Sequence, residues 1–162
     1  NILTVLKRMG VRGRVCRNSV QIEGDGKPLK PIKLDARHIP DIVPIIAVLA
    51  CYASGTSKIT GARRLRLKES DRIMSITEEL GKMGAQVAMN EDGLTIIGAS
   101  LHGTNVNPHN DHRIAMAAAV AALGAKGETT IKHAECIRKS YPQFFTHLKQ
   151  IGADVVGGKL DR

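Results

Sequence analysis

The amino-acid sequence predicts an α/β (α+β) protein built from a repeated unit of helices and strands. One six-residue motif occurs three times, as LKRMGV at 6–11, LGKMGA at 80–85 and LKQIGA at 148–153. Two long apolar segments lack a polar face, and a short β-branched segment follows each of them. The matched motifs lie about 70 residues apart, which is longer than a solenoid repeat and indicates two to three copies of one supersecondary unit.

Each unit is predicted to contain two helices of different character. The first, at 41–52 and again at 111–123, is apolar on all sides, so neighbouring elements are expected to cover it completely. The second is amphipathic and is expected to end at Gly84, since glycine is the usual residue after a helix. Its apolar residues recur at spacings of three and four: Ile73, Ile76, Leu80 and Met83.

Short strands are predicted around these helices. A β-branched strand follows each apolar helix, and the segments AQVAM and LTIIG form a hairpin joined by NEDG. The expected strands, including one that opens each unit, are 30–34, 56–60, 85–89, 94–98, 101–106 and 128–132. The unit therefore runs strand, helix, strand, helix, strand, strand. The first copy begins inside its amphipathic helix at Asn1, so we expect the chain to be part of a longer protein.

Composition excludes several classes of protein. The chain has 162 residues, 43% of them hydrophobic and 2% aromatic, so its core must consist of aliphatic side chains. No apolar run approaches the roughly 20 residues that span a bilayer, and no membrane partner is predicted. The three cysteines are widely spaced and odd in number, which disfavours a disulfide framework or a metal site and favours a cytoplasmic location.

Charged residues lie at the predicted helix starts, where cations are unfavourable. A helix N-terminus carries about half a positive charge, so a lysine or arginine there costs roughly 0.3–1 kcal/mol. The cations at three such starts are Lys68 with Arg72, then Arg113, and finally Lys139 before a last helix for which Ser140 is the expected cap. A bound anion would account for all three, because phosphate and carboxylate groups bind at helix N-termini.

Three alternative interpretations remain open. Each cation taken singly is more often simply solvated, and Asp71 and Asp111 are expected to be helix caps. The net charge of +9 also suits a nucleic-acid-binding module, but the scarcity of aromatic side chains for base stacking and the absence of a known motif argue against it. A third possibility is a folding unit without any partner.

Three motifs in order, LKESDRI, NDHRIAMA and KSYP, resemble the 5-enolpyruvylshikimate-3-phosphate synthase family, and HIPDIVPIIAVLA fits the segment before them. The resemblance implies an inside-out α/β barrel of βαβαββ units with pseudo-threefold symmetry. The chain would then be an incomplete C-terminal domain, with a partial unit at 1–29 and units at 30–100 and 101–162. The sister family, UDP-N-acetylglucosamine enolpyruvyl transferase, has the same fold but different signatures.

The resemblance also implies a reaction and the residues that perform it. The family transfers the enolpyruvyl group of phosphoenolpyruvate to the 5-hydroxyl of shikimate 3-phosphate and releases phosphate, as a step of aromatic amino-acid biosynthesis. Matching positions suggest Asp41 as the base at the 5-hydroxyl, Glu69 as the group exchanging a proton with the methylene carbon, and Lys68 as a shikimate 3-phosphate ligand that assists proton transfer. No metal and no organic cofactor is implied.

The remaining matched positions serve phosphoenolpyruvate. Arg72 and Arg113 correspond to a clamp on its carboxylate, Lys139 to a phosphate ligand, and His112 to a weaker catalytic candidate beside the clamp. Where some relatives have an asparagine before the KE pair, this chain has Arg63-Arg64-Leu65, so nothing is inferred there. Since the family's absent N-terminal domain supplies most of the shikimate 3-phosphate pocket, we expect this chain to be inactive on its own.

Overall fold

The computed structural model describes residues 2–157 as eight strands, five α-helices and three short 3-10 helices. The predicted start at Asn1 and the last residues of the third unit lie outside this range. The α-helices are α1 Ile2–Arg8, α2 Val43–Cys51, α3 Arg72–Lys82, α4 His112–Gly124 and α5 Phe144–Gln150. The strands are β1 Arg12–Cys16, β2 Ser19–Glu23, β3 Lys33–Asp35, β4 Thr56–Thr60, β5 Gln86–Asn90, β6 Gly93–Ile97, β7 Asn105–Val106 and β8 Thr130–Ile131.

The middle of the chain forms the complete predicted unit. Its elements follow in the order β3, α2, β4, α3, β5, β6, and the four strands form one sheet in the order β3-β4-β6-β5. The β3–β4 pair is parallel, whereas β4–β6 and β5–β6 are antiparallel. The later part of the chain repeats the first half of this unit, with α4 between the parallel strands β7 and β8.

The threefold recurrence of the LKRMGV-type motif is confirmed in the backbone. In each copy the motif glycine ends a helix with a left-handed conformation, with φ of 91° at Gly10, 90° at Gly84 and 101° at Gly152. In each copy the residue after the glycine donates to the carbonyl oxygen of the motif leucine, over 3.0, 2.9 and 3.1 Å. This is the bond pattern of a Schellman motif, and it explains why glycine recurs at these positions.

The two apolar helices occupy the core. Helices α2 and α4 pack against each other, and the Tyr52 hydroxyl donates to the Ala121 carbonyl oxygen between them. Seven of the nine residues of α2 and seven of the thirteen of α4 are buried. Neighbouring elements were expected to cover α2 completely, but a stripe of side chains along α2 and at its two ends stays partly exposed: Ile42, Ile45, Leu49 and Tyr52.

Several predicted boundaries differ from the observed ones. The apolar helix expected at 41–52 begins as a 3-10 helix, Pro40–Ile42, because Pro44 removes one backbone donor at its start. The hairpin connection is Glu91-Asp92 rather than four residues, since Asn90 and Gly93 pair in register. The opening strands are also shorter than expected at 30–34 and 101–106.

The prediction of Ser140 as the cap of the last helix is wrong. A 3-10 helix, Ala134–Lys139, precedes Ser140, and α5 begins only at Phe144, without a side-chain cap. Pro142 disfavours helical backbone at Tyr141, so the α-helix cannot continue through that residue. Among the described residues, no helix has the length and hydropathy needed to cross a membrane.

Candidate active site

Three chain segments meet where the helices of the core begin. The 3-10 helix before α2 carries Asp41, the loop before α3 carries Lys68 and Glu69, and Asp111 precedes α4. Because α2 and α4 are largely buried along their length, polar side chains can only be accommodated at their ends. The fold therefore concentrates charge at one end of its apolar centre.

Arg72 is the central residue of this cluster. Its side chain is 2% exposed, and its guanidinium contacts three carboxylates. Nε donates to Asp111 over 2.7 Å, Nη1 to Asp41 over 3.0 Å and Nη2 to Glu69 over 2.6 Å. A guanidinium has five N–H donors in a fixed plane, so Arg72 holds three segments of the chain in one geometry.

Asp111 is completely buried and has two functions. It caps α4 by accepting from the backbone N–H of Arg113 over 2.9 Å, as predicted. It also accepts from Arg72 and, over 3.1 Å, from the Ser70 hydroxyl. Burial alone would raise the pKa of Asp111, but these hydrogen bonds and the charge of Arg72 lower it below 3.8. Asp111 therefore stays ionised and neutralises the buried cation.

Asp41 is the accessible carboxylate of the cluster, with a side chain that is 48% exposed. Besides Arg72, it is approached by Lys68 Nζ at 3.6 Å and by Arg113 Nη2 at 3.3 Å. Partial burial acts to raise the pKa of Asp41, but the attraction of Arg113, Lys68 and Arg72 and the hydrogen bond from Arg72 lower it overall. An ionised, half-exposed carboxylate can accept a proton or a hydrogen bond from a hydroxyl group.

The two arginines expected to form a clamp are held differently. They lie together, since both contact Asp41, but Arg72 is nearly saturated by carboxylates of the protein. The side chain of Arg113 is 35% exposed, its contacts with Asp41 are both 3.3 Å, and its Nε has no partner among the described residues. Arg113 is therefore the guanidinium that can turn toward a ligand.

His112 and Lys139 lie beside the cluster but show no contact with Asp41 in the described part of the chain. The His112 ring is buried, and its Nδ1 has no hydrogen-bond partner there. Lys139 Nζ donates to the carbonyl oxygen of Asn110 over 3.3 Å, which brings the end of the third 3-10 helix to the start of α4. His112 is thus part of the segment 110–113, and Lys139 contacts that segment at Asn110.

One detail of the electrostatic prediction is wrong: Lys139 ends a 3-10 helix and does not lie at the start of α5. Lys68 lies in extended backbone just before α3. The unfavourable charge of Arg72 at the start of α3 is compensated by three carboxylates of the protein itself, and with the two further cations, Lys68 and Arg113, the cluster has equal numbers of acids and cations. Lys139 is an additional cation beside that cluster.

A second polar cluster lies further along α3, and sequence patterns gave no signal for it. Glu79 is buried, and its ligand oxygens lie within 4.8 Å of those of Glu78 and the ring nitrogens of His109. The Lys82 ammonium is 2.9 Å from Glu78 and 2.8 Å from Glu79, so a cation of the protein already occupies the position between the carboxylates. This arrangement does not need a metal ion.

Comparisons with known proteins agree with this fold. The family model for EPSP synthase (3-phosphoshikimate 1-carboxyvinyltransferase) matches residues 1–148. The chain is 47% identical over 155 residues to 3-phosphoshikimate 1-carboxyvinyltransferase of Clostridium acetobutylicum, covering 95% of this chain and 35% of that protein. The corresponding protein of Pyrococcus abyssi is 45% identical over 150 residues, covering 93% of this chain and 36% of its own length.

Solved structures show the same likeness. EPSP synthase of Acinetobacter baumannii superposes with a TM-score of 0.80 and 31% identity, over 92% of this chain and 38% of that one. The enolpyruvyl transferase NikO of Streptomyces tendae superposes with a TM-score of 0.80 and 28% identity, over 94% of this chain and 35% of that one.

The fold is that of an α/β protein of the enolpyruvyl transferase type. More particularly, the chain belongs to the EPSP synthase (3-phosphoshikimate 1-carboxyvinyltransferase) family. It spans about a third of the length of the curated relatives that it matches.

Proposed function

We propose that this chain supplies one face of the active site of an enzyme that transfers the enolpyruvyl group of phosphoenolpyruvate to the 5-hydroxyl of shikimate 3-phosphate. The observation that carries the proposal is the contact of one accessible carboxylate, Asp41, with three cations, Lys68, Arg72 and Arg113. The reaction needs a base for a hydroxyl group beside cations for two anionic substrates, and this cluster contains both.

In the proposed reaction, the 5-oxygen forms a bond to C2 of phosphoenolpyruvate, and Asp41 accepts the hydroxyl proton. Glu69 gives a proton to the methylene carbon, which produces the tetrahedral addition intermediate. When Glu69 takes a proton back from that carbon, the bond from C2 to the phosphate oxygen breaks, and phosphate leaves with the proton that Asp41 had accepted. The two carboxylates are held side by side by Arg72, which supports this division of work.

The cations stabilise the substrates' negative charges in this proposal. Arg113, helped by the remaining donor capacity of Arg72, binds the carboxylate of phosphoenolpyruvate, and Lys139 binds its phosphate. Lys68 serves shikimate 3-phosphate and the nearby proton transfers. His112 is placed beside the arginine pair, and its buried, unpartnered Nδ1 is available to a ligand or to a rearranged side chain.

We also propose that the chain is the C-terminal domain of the enzyme and that its units, 1–29, 30–100 and 101–162, follow pseudo-threefold symmetry in an inside-out barrel. The partly exposed apolar stripe along α2 supports this arrangement, because a third buried helix packed against it would complete the cover. The protein that contains this chain would then depend on a further domain for much of the shikimate 3-phosphate pocket.

The test combines the purified chain with the remaining N-terminal part of the Clostridium acetobutylicum relative and measures phosphate release from both substrates. We expect neither part alone to release phosphate and the mixture to do so. Asp41→Asn should abolish the restored activity, whereas Asp25→Asn should not, because it affects an exposed carboxylate whose hydrogen bond in the described part of the chain comes from the Lys27 backbone N–H. Activity in the chain alone, or full activity of the Asp41→Asn mixture, would refute the proposal.

A further inference from the structure

Helix α3 buries two opposite charges along one stripe. Arg72 lies in its first turn and Glu79 seven residues later, and both are at most 2% exposed. Residues seven apart in an α-helix project from nearly the same side, so the two groups are directed toward the same neighbouring part of the chain. Arg72 belongs to the proposed active site, whereas Glu79 has no part in the proposed reaction.

Glu79 binds the segment 107–110, which connects β7 to α4. Its Oε2 accepts from the backbone N–H of Asn107 over 3.0 Å, and its Oε1 lies 3.0 Å from Nε2 of His109. Lys82 Nζ, one turn further along α3, also donates to Oε1 over 2.8 Å. Both oxygens of this buried carboxylate are therefore used, and two of its three partners belong to the connecting segment.

That segment has a conformation that the chain does not adopt readily by itself. His109 and Asn110 have φ of 52° and 56°, so two successive residues other than glycine are left-handed. Left-handed backbone is sterically unfavourable for residues with a Cβ atom, although asparagine tolerates it better than most. Such conformations persist only when surrounding contacts enforce them. Within the segment, Asn107 Oδ1 accepts from the His109 N–H and Pro108 O from the Asp111 N–H, over 3.0 and 2.9 Å.

The segment leads directly into the active-site cluster. Its last carbonyl group, on Asn110, accepts from Lys139, and the next residue, Asp111, binds Arg72 and caps α4. Helix α3 thus holds the segment at both ends, through Glu79 at 107–109 and through Arg72 at Asp111. A rigid helix that fixes both ends determines where the first turn of α4 presents Arg113.

We propose that Glu79 is a positioning residue: it holds the segment 107–110 in its left-handed conformation and so places Asp111, Arg113 and Lys139 for phosphoenolpyruvate. The functional half of this inference, the placement of these residues for phosphoenolpyruvate, rests on the proposed function. Its geometric half, the hold of Glu79 on the segment, does not. Glu78 provides a matched contrast, since it shares Lys82 with Glu79 but is half-exposed and makes no hydrogen bond to Asn107 in the described residues.

The test compares Glu79→Gln with Glu78→Gln in the full chain by ¹H–¹⁵N NMR. A glutamine keeps the volume of Glu79 but has one acceptor oxygen, so it cannot serve the Asn107 N–H together with Lys82 and His109. We expect hydrogen exchange of the Arg72 Nε–H and of the Arg113 backbone N–H to become about tenfold faster, because both donate to Asp111. Exchange of the Leu80 N–H inside α3 should not change, and Glu78→Gln should alter none of the three.

A titration of the same samples with phosphoenolpyruvate tests the functional half. We expect Glu79→Gln to weaken binding about tenfold, since small displacements of binding groups have effects of this size or larger, and Glu78→Gln to leave it unchanged. Accelerated exchange with unchanged affinity would refute the positioning role, and so would faster exchange throughout the chain or equal effects of the two variants. A wild-type chain that binds no phosphoenolpyruvate would instead count against the proposed function, while the exchange data would still decide the geometry.

His109→Ala keeps the experiment decisive if Glu79→Gln fails to fold. Alanine keeps the unfavourable φ of 52° at this position, and the change removes the contact of the His109 ring with Glu79 and Glu78. Faster exchange at Arg72 Nε–H and Arg113 N–H in this variant, with a retained melting transition, supports the inference. Wild-type exchange at both positions overturns it.

Discussion

Replacing Arg72 by alanine should destabilise the chain far more than replacing Arg113. Arg72→Ala leaves Asp111, which is 0% exposed, as an uncompensated buried charge. Breaking a buried ion pair in this way costs about 3–5 kcal/mol. The lost contacts with Asp41 and Glu69 add little, because both carboxylates are substantially exposed and such pairs contribute roughly 0–1 kcal/mol.

For a chain of this size, each kcal/mol lowers the melting temperature by about 2–4 °C, so the expected decrease is roughly 6–20 °C. Calorimetry and urea unfolding at neutral pH measure this change. Arg113→Ala is the control: it removes a half-exposed pair with Asp41 and should cost less than about 1 kcal/mol. The double variant Arg72→Met with Asp111→Asn removes both charges and should recover part of the loss.

Equal destabilisation by Arg72→Ala and Arg113→Ala would refute this reasoning, because it would mean that burial of the Asp111 charge is not the source of the penalty. A loss below about 1 kcal/mol in Arg72→Ala would have the same meaning. The penalty should also shrink in acid, where Asp111 in the variant can take up a proton.

Two further results are expected. Both Asp41 and Asp111 have a lowered pKa in the folded state, so their stabilising contribution is complete above the ordinary pKa near 3.8 and is lost as the pH falls through the lower folded values. The urea concentration at the unfolding midpoint should therefore decrease below about pH 4. Asp111→Asn should weaken this pH dependence. In Gly93→Ala, the new Cβ would collide with the carbonyl oxygen of Ile59 on β4, so thermal unfolding should show a decrease of about 1–3 kcal/mol in the free energy of unfolding. Gly81→Ala on α3, whose new Cβ meets nothing within 4 Å, should be neutral or stabilising. Similar changes in the two variants would contradict this expectation.

The repeated unit could be predicted because local rules specify it. Helices α3 and α4 begin at their predicted caps, Asp71 and Asp111, and the three motif glycines end helices as expected. These features depend on neighbours within a few residues, which sequence shows directly. The start of α5 could not be placed by the same rules, because a 3-10 helix ends at Lys139 and the α-helix begins only at Phe144.

The candidate site was predicted as a set of residues but not as a network. Charged side chains at helix starts identified Asp41, Lys68, Glu69, Arg72 and Arg113, and the structure brings them together. Their pairing could not be derived, because it depends on which helix ends meet in space. The expected symmetric arginine pair is in fact one buried, nearly saturated guanidinium and one that is accessible.

The sequence by itself determined the order of helices and strands, the apolar centre and the residues that carry charge at its end, since periodicity, capping and composition act locally. Only the tertiary structure decided that Asp111 neutralises Arg72 and that Glu79 holds the segment before α4. These pairs join residues 39 and 28 to 30 positions apart. The free energy of such buried charges depends on how completely they are removed from water and on the distances between the paired atoms, and only the packed chain specifies both.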